Sequence, residues 1–486
     1  MSGVVDMVQF QADIQATLPE IALACGAMVL LLVGVFAGNK RSTLVTWACV
    51  ALLCLVAFLV ATGGSEKVMA FSGTMIVDPF ARFAKLLVLG GSAIAMLMSI
   101  DYLRQEKLNL FEYPLLVALS TLGMLTMISA NDLIVLYVGL ELQSLALYVL
   151  ASFARDNAKS TEAGLKYFVL GALSSGMLLY GASLVYGFTG TTSFTGIAQA
   201  IAADGLQLGV MIGLVFVLAG LAFKVSAVPF HMWTPDVYEG SPTPVTAFFA
   251  AAPKIAAMTL FLRVVFGPFA GAEHAWLQIV TLLSIASMIL GALAAIGQTN
   301  IKRLMAYSSI GHMGYALIGF AAGTQAGVQG VLTYLVIYLA MTVGTFVCIL
   351  TMRRNGKAVE DISELAGLSQ RDPATAYLLA LLMFSLIGIP PLAGFMGKWY
   401  VFLAAVESKL YVLAAIGFIS SVIGAFYYLR VVKIMFFDAP AAPFEGKMST
   451  LNTALLAGSS AFVIFFIVAP LPLTDAAAFA AKSLFP

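Results

Sequence analysis

The chain has 486 residues, of which 61% are hydrophobic and only 10% are charged. A water-soluble protein of this length could not present so few charges to solvent, so the composition predicts a polytopic membrane protein. The formal net charge of +1 argues against a nucleic-acid partner, which would call for a basic surface. The four cysteines form no C-x-x-C pair, so the sequence does not support an iron–sulfur, zinc or disulfide site.

Apolar windows of about 18–25 residues, long enough to cross a bilayer as helices, recur along the whole chain. Acids and no basic segment precede the first window, which predicts a retained helix rather than a cleaved signal peptide. The predicted fold is therefore an all-α polytopic membrane protein with about 14 transmembrane helices. The predicted spans lie near 17–37, 43–62, 77–100, 112–129, 131–153, 161–189, 207–228, 243–266, 275–297, 300–322, 327–352, 374–404, 410–436 and 451–473.

The longest stretch between spans is 353–373, which is too short to hold a soluble domain. Apolar residues at helical spacing within it, from Val359 to Ala366, predict a short helix lying on the membrane surface.

Basic residues divide unevenly between the two sides of the predicted membrane. One side holds most of the loop lysines and arginines, whereas the other holds only Lys67, Lys409 and Lys482. By the positive-inside rule the basic side faces the cytoplasm, so both termini are predicted to be periplasmic. One cytoplasmic loop, 231–242, has acids and no lysine or arginine.

The stretch from Leu221 to Met258 carries two lysines, Lys224 and Lys254, in apolar surroundings, with five prolines between them, the last of which, Pro253, directly precedes Lys254. A charge at bilayer depth costs roughly 2.5–3.5 kcal/mol, so such residues normally lie in a protein interior or a wet cavity. Proline removes a backbone donor and interrupts the helical hydrogen bonds. Broken helices beside buried charges are typical of an ion or substrate path.

A second interrupted segment lies in span twelve, where Gly388, Pro390 and Pro391 precede Lys398. Spans seven and twelve are five apart, and a five-helix unit begins on opposite sides of the membrane in its two copies. The sequence therefore predicts two inverted repeats, spans 4–8 and 9–13, with helices 7 and 12 broken. The predicted parts are an N-terminal three-helix segment (1–111), a first repeat (112–266), a second repeat (267–437) and a C-terminal helix (438–486).

Several ionisable residues remain after the loop charges are assigned. Glu141, midway along span five, is the natural acidic counterpart of the deep lysines. Three residues near span ends are expected to extend to the interface, namely Arg82, Lys85 and Arg263. Lys166 follows Glu162 at i+4, so a local ion pair and a role in the path both stay open.

Span ten adds His312, whose ordinary pKa near 6.5 suits a proton relay, although a hydrogen-bonded packing role stays equally open. Lys302 and Tyr307 are auxiliary candidates, and Lys302 at the helix start is read mainly as an orientation charge. A chain from Glu141 and Lys224 through Lys254 to His312 and Lys398 would pass protons along the membrane midplane. Lysine cannot ligate a dehydrated sodium ion, so the set suits H⁺ better than Na⁺.

No energy source is visible in the sequence, since it has no phosphate-binding loop, dinucleotide fingerprint or cluster of metal ligands. Transport is therefore expected to be driven by an ion gradient or by another subunit. The alternative from another functional class is a passive membrane scaffold, in which the buried charges only aid assembly.

Four segments carry a family resemblance. They are VGLELQSLALYVL around Glu141, FHMWTPDVYEGSPTPVTAF after Lys224, AAAPKIA around Lys254 and IPPLAGFMGKW around Lys398. The chain resembles the antiporter-like membrane subunits of respiratory complex I over nearly its whole length, and DPFARF and EAGLKYFVLGALSSG are similar too. Sister subunit M would have a glutamate in place of Lys398, and subunit L continues into a long lateral helix that this chain is expected to lack.

The resemblance implies a proton-translocating subunit of NADH:quinone oxidoreductase in the bacterial inner membrane. It implies that Glu141 and Lys224 form a pair near the input side, that Lys254 is the central relay, and that His312 and Lys398 lead outward. The implied partners are subunits M and K, the lateral helix of L, and membrane lipid. No cofactor is expected in this chain, and NADH, FMN, iron–sulfur clusters and quinone would be bound by partner subunits. A subunit of a multisubunit cation/H⁺ antiporter, with the same fold and no redox partner, is the alternative.

Overall fold

The computed structural model describes residues 7–64 and 66–485, most of which are helical. In chain order the helices are α1 (Met7–Ala16), α2 (Leu18–Ala37), α3 (Ser42–Thr62), α4 (Pro79–Gln105), α5 (Glu112–Ile128), α6 (Leu133–Ala151), α7 (Ala158–Thr189), α8 (Phe194–Asp204), α9 (Leu208–Val225), α10 (Trp233–Gly240), α11 (Thr243–Ala250), α12 (Ala252–Phe266), α13 (Glu273–Ile296), α14 (Ile301–Ala321), α15 (Gln325–Leu350), α16 (Leu368–Arg371), α17 (Pro373–Ile387), α18 (Ala393–Glu407), α19 (Tyr411–Phe437), α20 (Thr450–Phe465) and α21 (Leu471–Lys482). Two short antiparallel hairpins interrupt them, β1 (Val68–Ala70) with β2 (Met75–Val77), and β3 (Arg353–Arg354) with β4 (Lys357–Ala358).

The helices correspond closely to the predicted spans. In the described ranges, ten helical segments are long and apolar enough to cross a membrane, and three shorter apolar helices, α5, α17 and α20, fall in further predicted windows. Apolar side chains on α2, α3, α7 and α19 face outward, as expected of surfaces that contact lipid or other membrane proteins. The prediction of a mostly helical, polytopic membrane protein is confirmed.

The predicted breaks in spans seven and twelve are confirmed. The first half-helix of span seven, α9, ends before Ser226, which has left-handed backbone geometry (φ 60°), and α10 begins at Trp233. In span twelve Gly388 (φ 92°) ends α17, and α18 begins five residues later. Glycine reaches this conformation without the steric strain that a side chain would cause.

The structure has a further break that the sequence analysis did not predict, at Ala251 between α11 and α12. Its cause is Pro253, which has no N–H and whose ring clashes with the carbonyl of the residue four positions earlier in a continuous helix. Span eight is therefore also built from two half-helices, and Lys254 lies in the first turn of the second.

The prediction of a surface helix at 353–373 is wrong in its first half. This stretch begins with the β3–β4 hairpin, whose turn is Asn355-Gly356 with positive φ at both positions, and continues into a 3₁₀ turn at Ile362–Leu365. Asn-Gly strongly favours such a two-residue turn. Glu445 accepts hydrogen bonds from both turn amides, which hold the pKa of its carboxyl below the ordinary value. The carboxylate thus stays ionised and fastens the hairpin to the 438–449 loop.

Two helix pairs cross at glycines that bring their backbones together. A Cβ atom at Gly139 of α6 would lie 2.7 Å from the backbone nitrogen of Met127 in α5. One at Gly291 of α13 would lie 2.6 Å from the nitrogen of Gly311 in α14. Real Cβ atoms essentially never approach so closely, so both crossings require glycine. They fix the positions of α6 and α14, which carry candidate site residues.

Within each of these pairs, the second helix begins at a short backbone exchange of the same form. Just before α6, Leu133 N donates to Thr192 O and Asn131 O accepts from Phe194 N, both at 3.0 Å. Just before α14, two equivalent bonds of 2.8 Å join the 299–301 segment to the 360–362 segment. In both cases the start of one helix is tied to the chain that follows the next helix.

The expectation that Lys85 and Arg263 extend to the interface is wrong, because both side chains are buried in ion pairs. Lys85 contacts Glu20 of α2. Arg263 of α12 binds both carboxylate oxygens of Asp78, at 2.8 and 3.0 Å, and Asp78 also caps α4 through the amide of Ala81. Arg82 lies near the end of α3, where it donates to Gly63 O. The two buried ion pairs attach α4 to α2 and the start of α4 to α12.

We expect Arg263→Ala to lower the free energy of unfolding by about 3–5 kcal/mol, because it leaves the Asp78 carboxylate buried without its partner. Thermal unfolding of the detergent-solubilised protein measures this effect. Lys433→Ala, which breaks an exposed ion pair with Asp438, is the control and should change stability by less than about 1 kcal/mol. Equal effects of the two substitutions would contradict a stabilising role for the buried pair.

Candidate functional site

The first candidate group joins α6 to the end of the half-helix α9. Lys224 is buried in the last turn of α9, and its Nζ donates a 2.7 Å hydrogen bond to Ser144 Oγ of α6. Glu141 lies one turn before Ser144 and is half-buried. Its Oε1 atom is enclosed and has no hydrogen-bond partner within the described ranges. The structure therefore puts a serine in direct contact with the lysine, with the glutamate one turn away along α6.

Lys254 receives its partner from the break in span seven. Its side chain is 1% exposed, and Nζ hydrogen-bonds Ser226 Oγ, the residue whose left-handed geometry ends α9. Ser226 Oγ lies in turn 2.5 Å from Thr234 Oγ1 of α10. The Lys254 Nζ also lies 5.0 Å from the centroid of the Trp233 ring, within cation–π range. The break thus provides the polar contact that this buried lysine needs.

His312 lies in the middle of α14 and is 2% exposed. Both ring nitrogens contact phenol hydroxyls, Nδ1 with Tyr334 of α15 at 2.6 Å and Nε2 with Tyr428 of α19 at 3.1 Å. The Tyr428 hydroxyl also contacts Ser308 Oγ at 2.5 Å. The hydrogen-bonded role left open for His312 is therefore observed, and its partners are groups that can themselves exchange protons.

Lys398 occupies the second half-helix of span twelve, α18, and is buried. Its Nζ donates to the carbonyl of Ile387, the last residue of α17, and to Ser421 Oγ of α19, both at 2.7 Å. The last carbonyls of a helix lack intrahelical partners and form the negative end of its dipole. A cation at this position therefore satisfies a group that the break has freed.

Two of the auxiliary candidates, Lys166 and Lys302, have carboxylate partners instead of hydroxyl partners. Lys166 is half exposed and pairs with Glu162 at 2.7 Å and Asp236 at 2.8 Å, so the local ion pair forms. Lys302 points inward, is 2% exposed, and contacts Glu360 at 2.7 Å and the carbonyl of Ser241 at 2.8 Å. Tyr307 is half-buried on α14.

The acidic loop at 231–242 has a structural explanation. Asp236 and Glu239 of α10 accept hydrogen bonds from Arg303 at 2.7 and 3.2 Å, and Lys159 pairs with Glu239 at 3.1 Å. The basic residues that the loop lacks are thus supplied by α7 and α14. Asp236 and Glu239 indicate an ion-pair cluster at this loop, but their basic partners lie about 60–80 residues away in the sequence and could not be identified from it.

The four main candidate bases, Lys224, Lys254, His312 and Lys398, are all buried, and each contacts at least one hydroxyl group. The helices that carry Lys224 and Lys254, α9 and α12, pack against each other, as do those that carry His312 and Lys398, α14 and α18, and α11, the first half of span eight, contacts α14. A hydroxyl can donate and accept at once, so it can take part in proton transfer. Ammonium groups cannot ligate a metal ion. The hydroxyl partners were not predicted from the sequence, and they are Ser144, Ser226, Tyr334, Tyr428 and Ser421.

Comparisons with known proteins identify the family of the chain. A family profile described as "NADH:quinone oxidoreductase/Mrp antiporter, TM" matches residues 130–424. The protein named NADH-quinone oxidoreductase subunit N of Parvibaculum lavamentivorans is 59% identical over 469 residues, which cover 96% of this chain and 97% of that protein. Subunit N 1 of Rhizobium meliloti is 57% identical over 478 residues, covering 98% of each chain.

Solved structures give the same result. A chain of respiratory complex I from Thermus thermophilus superposes with a TM-score of 0.81 at 32% identity, covering 94% of this chain and 98% of that one. A chain of the Mrp complex from Dietzia has a TM-score of 0.86 at 20% identity, over 97% and 98% of the two chains, which shows a shared fold. The class is thus that of antiporter-type membrane subunits. Within it, this chain belongs to the family of NADH-quinone oxidoreductase subunit N.

We expect Ser144→Ala to destabilise the protein by about 1–3 kcal/mol, because the buried Lys224 ammonium loses its hydroxyl partner. The matched control is Ser120→Ala, since Ser120 is also buried and its hydroxyl has no partner in the part of the chain that the structure describes. Thermal unfolding of both variants tests this prediction. It would be contradicted if Ser120→Ala were the more destabilising change.

Proposed function

We propose that this chain is a proton-translocating membrane subunit of NADH:quinone oxidoreductase and is driven by redox chemistry in other subunits. The observation that carries the proposal is the set of four buried bases, each with a hydroxyl partner and three of them beside helix breaks. Buried ionisable groups in membrane helices are costly and typically mark ion pathways. Membership of the subunit N family supports the redox-driven form of this activity.

The proposed path begins at Glu141 and Lys224 and continues through Lys254 and His312 to Lys398. Burial favours the neutral form of a lysine, whereas a carboxylate nearby favours the charged form. Movement of the Glu141 carboxylate toward or away from Lys224 would therefore make Lys224 hold or release its proton. Ser226, at the break between the two lysines, contacts Lys254, and water would complete the remaining distances.

We also propose that the chain crosses the membrane about 14 times and contains two inverted repeats, spans 4–8 and 9–13. The glycine crossing of α5 with α6 has its counterpart in that of α13 with α14. The backbone exchange before α6 has its counterpart before α14. With an odd repeat length these matching features lie on opposite membrane faces, as inversion requires. The proposed divisions are 1–111, 112–266, 267–437 and 438–486.

The proposed setting is the bacterial inner membrane, with both termini in the periplasm as the distribution of loop charges indicates. Subunits M and K and the lateral helix of L are the proposed neighbours. NADH, FMN, iron–sulfur clusters and quinone are proposed to be bound by partner subunits. A cation/H⁺ antiporter subunit is the second candidate, favoured by the shared Mrp fold and by the family profile, whose description also names the Mrp antiporter. Copurification with flavin- and iron–sulfur-containing subunits would exclude it.

We expect Lys254→Ala to reduce NADH-driven proton translocation by an order of magnitude or more while the complex still assembles, because the central proton carrier is lost. The assay is the initial pH gradient formed per NADH oxidised in inverted membrane vesicles. Lys40→Ala, at an exposed lysine before α3, is the control and should leave this ratio unchanged. Full translocation by an assembled Lys254→Ala complex would refute the proposed path and favour the scaffold interpretation.

A further inference from the structure

The environment of His312 differs from that of the lysines. Its direct partners at both ring nitrogens are tyrosine hydroxyls, and Tyr334 and Tyr428 are 1% and 2% exposed. A charged imidazolium here would be surrounded by phenols with no carboxylate bonded to it in the described ranges. Burying an unpaired charge costs far more than burying a hydrogen-bonded neutral group. The pocket is therefore built for neutral imidazole.

Neutral imidazole has one donor and one acceptor nitrogen, so the two tyrosines must play opposite roles. The 2.6 Å contact at Nδ1 is short, as expected when a hydroxyl donates to nitrogen, whereas 3.1 Å at Nε2 lies in the range of N–H···O bonds. Tyr428 can then donate its own hydroxyl proton to Ser308 Oγ at 2.5 Å, and the adjacent Tyr427 side chain is also hydrogen-bonded to Tyr428. The donors thus point one way, from Tyr334 through His312 and Tyr428 to Ser308.

We propose that Tyr334 and Tyr428 are proton-transfer residues on either side of His312, and that the three form a directional relay ending at Ser308. This inference rests on the proposed function, because it assigns a new segment of the same path. Each residue comes from a different helix, α15, α14 and α19. The relay therefore depends on how these three helices pack.

One transfer leaves every group neutral. A proton arrives at the Tyr334 oxygen while the existing Tyr334 proton moves to His312 Nδ1. The proton on Nε2 moves to the Tyr428 oxygen, the former Tyr428 proton moves to Ser308 Oγ, and the Ser308 proton passes to a water molecule of the proposed path. One proton enters and one leaves, and the imidazole changes tautomer. Before the next transfer the hydroxyls rotate, and the imidazole loses its Nδ1 proton and gains one at Nε2 by exchange with water of the proposed path, because return through the two tyrosines would undo the transfer.

Tyr338 provides a matched comparison. It lies one turn from Tyr334 on α15, is 2% exposed, and its ring centroid is 5.4 Å from that of His312. Its hydroxyl donates to Ser309 Oγ at 2.9 Å and not to either imidazole nitrogen. Replacing Tyr338 by phenylalanine therefore removes an equally buried phenol hydroxyl beside the histidine without breaking the relay.

The test compares Tyr334→Phe, Tyr428→Phe and Tyr338→Phe in the assembled complex. We expect the first two to lower the pH gradient formed per NADH oxidised in inverted vesicles, on the order of tenfold, because phenylalanine cannot carry the proton. Tyr338→Phe should keep the wild-type ratio. Full translocation by Tyr334→Phe or Tyr428→Phe would overturn the relay, and so would equal loss in Tyr338→Phe.

Two further measurements keep the test decisive. If the phenylalanine variants fail to assemble, 3,5-difluorotyrosine at position 334 or 428 keeps the shape and the hydroxyl but makes it more acidic. A changed translocation rate and pH profile then supports proton transfer, and an unchanged rate and profile overturn it. Lys254→Ala is measured in parallel. Loss of translocation in that variant, with retention in the tyrosine variants, refutes the relay alone, whereas retention in Lys254→Ala refutes the proposed function.

Discussion

The structure depends on the requirement that every polar group taken into the membrane must find a partner inside the protein. A broken helix leaves backbone carbonyls without hydrogen-bond donors, and a buried lysine needs hydrogen-bond acceptors. The lysine can therefore donate to the carbonyls that the break has freed. Lys398 donates to the carbonyl that ends α17, and Lys254 bonds to the serine that ends α9. Either feature alone would be unfavourable. Together they place a titratable group at a defined position within the lipid-embedded part of the molecule.

Two kinds of buried charge can be distinguished. Arg263, Lys302 and Lys85 contact carboxylates, and these pairs connect helices that are distant in sequence. Removing either partner of such a pair would leave the other charge buried without compensation, and this makes the pairs suitable for fixed connections. Lys224 and Lys254 contact hydroxyls instead, which stabilise the charged form far less. The protein thus uses ionic partners for its framework and neutral partners where protons are proposed to move.

Local features were predictable from the sequence and remote partners were not. Hydropathy gave the spans, and proline and glycine gave the two main breaks, because both act within a single helix. The break before Pro253 and the Asn355-Gly356 turn have equally local causes in the sequence. The serine that contacts Lys224 was not predictable, since it lies 80 residues away and serines are common in membrane helices. The burial of Lys85 depended in the same way on Glu20, 65 residues away.

The glycine crossings of α5 with α6 and of α13 with α14 have a mechanical consequence. Because the two backbones are in direct contact, no layer of side chains lies between them that could rearrange, so we expect each helix pair to be rigid. We therefore expect any displacement during transport to be concentrated in the half-helices, where the breaks remove backbone hydrogen bonds that would resist bending. The molecule in this way combines two rigid supports with hinged segments, and those segments carry the lysines.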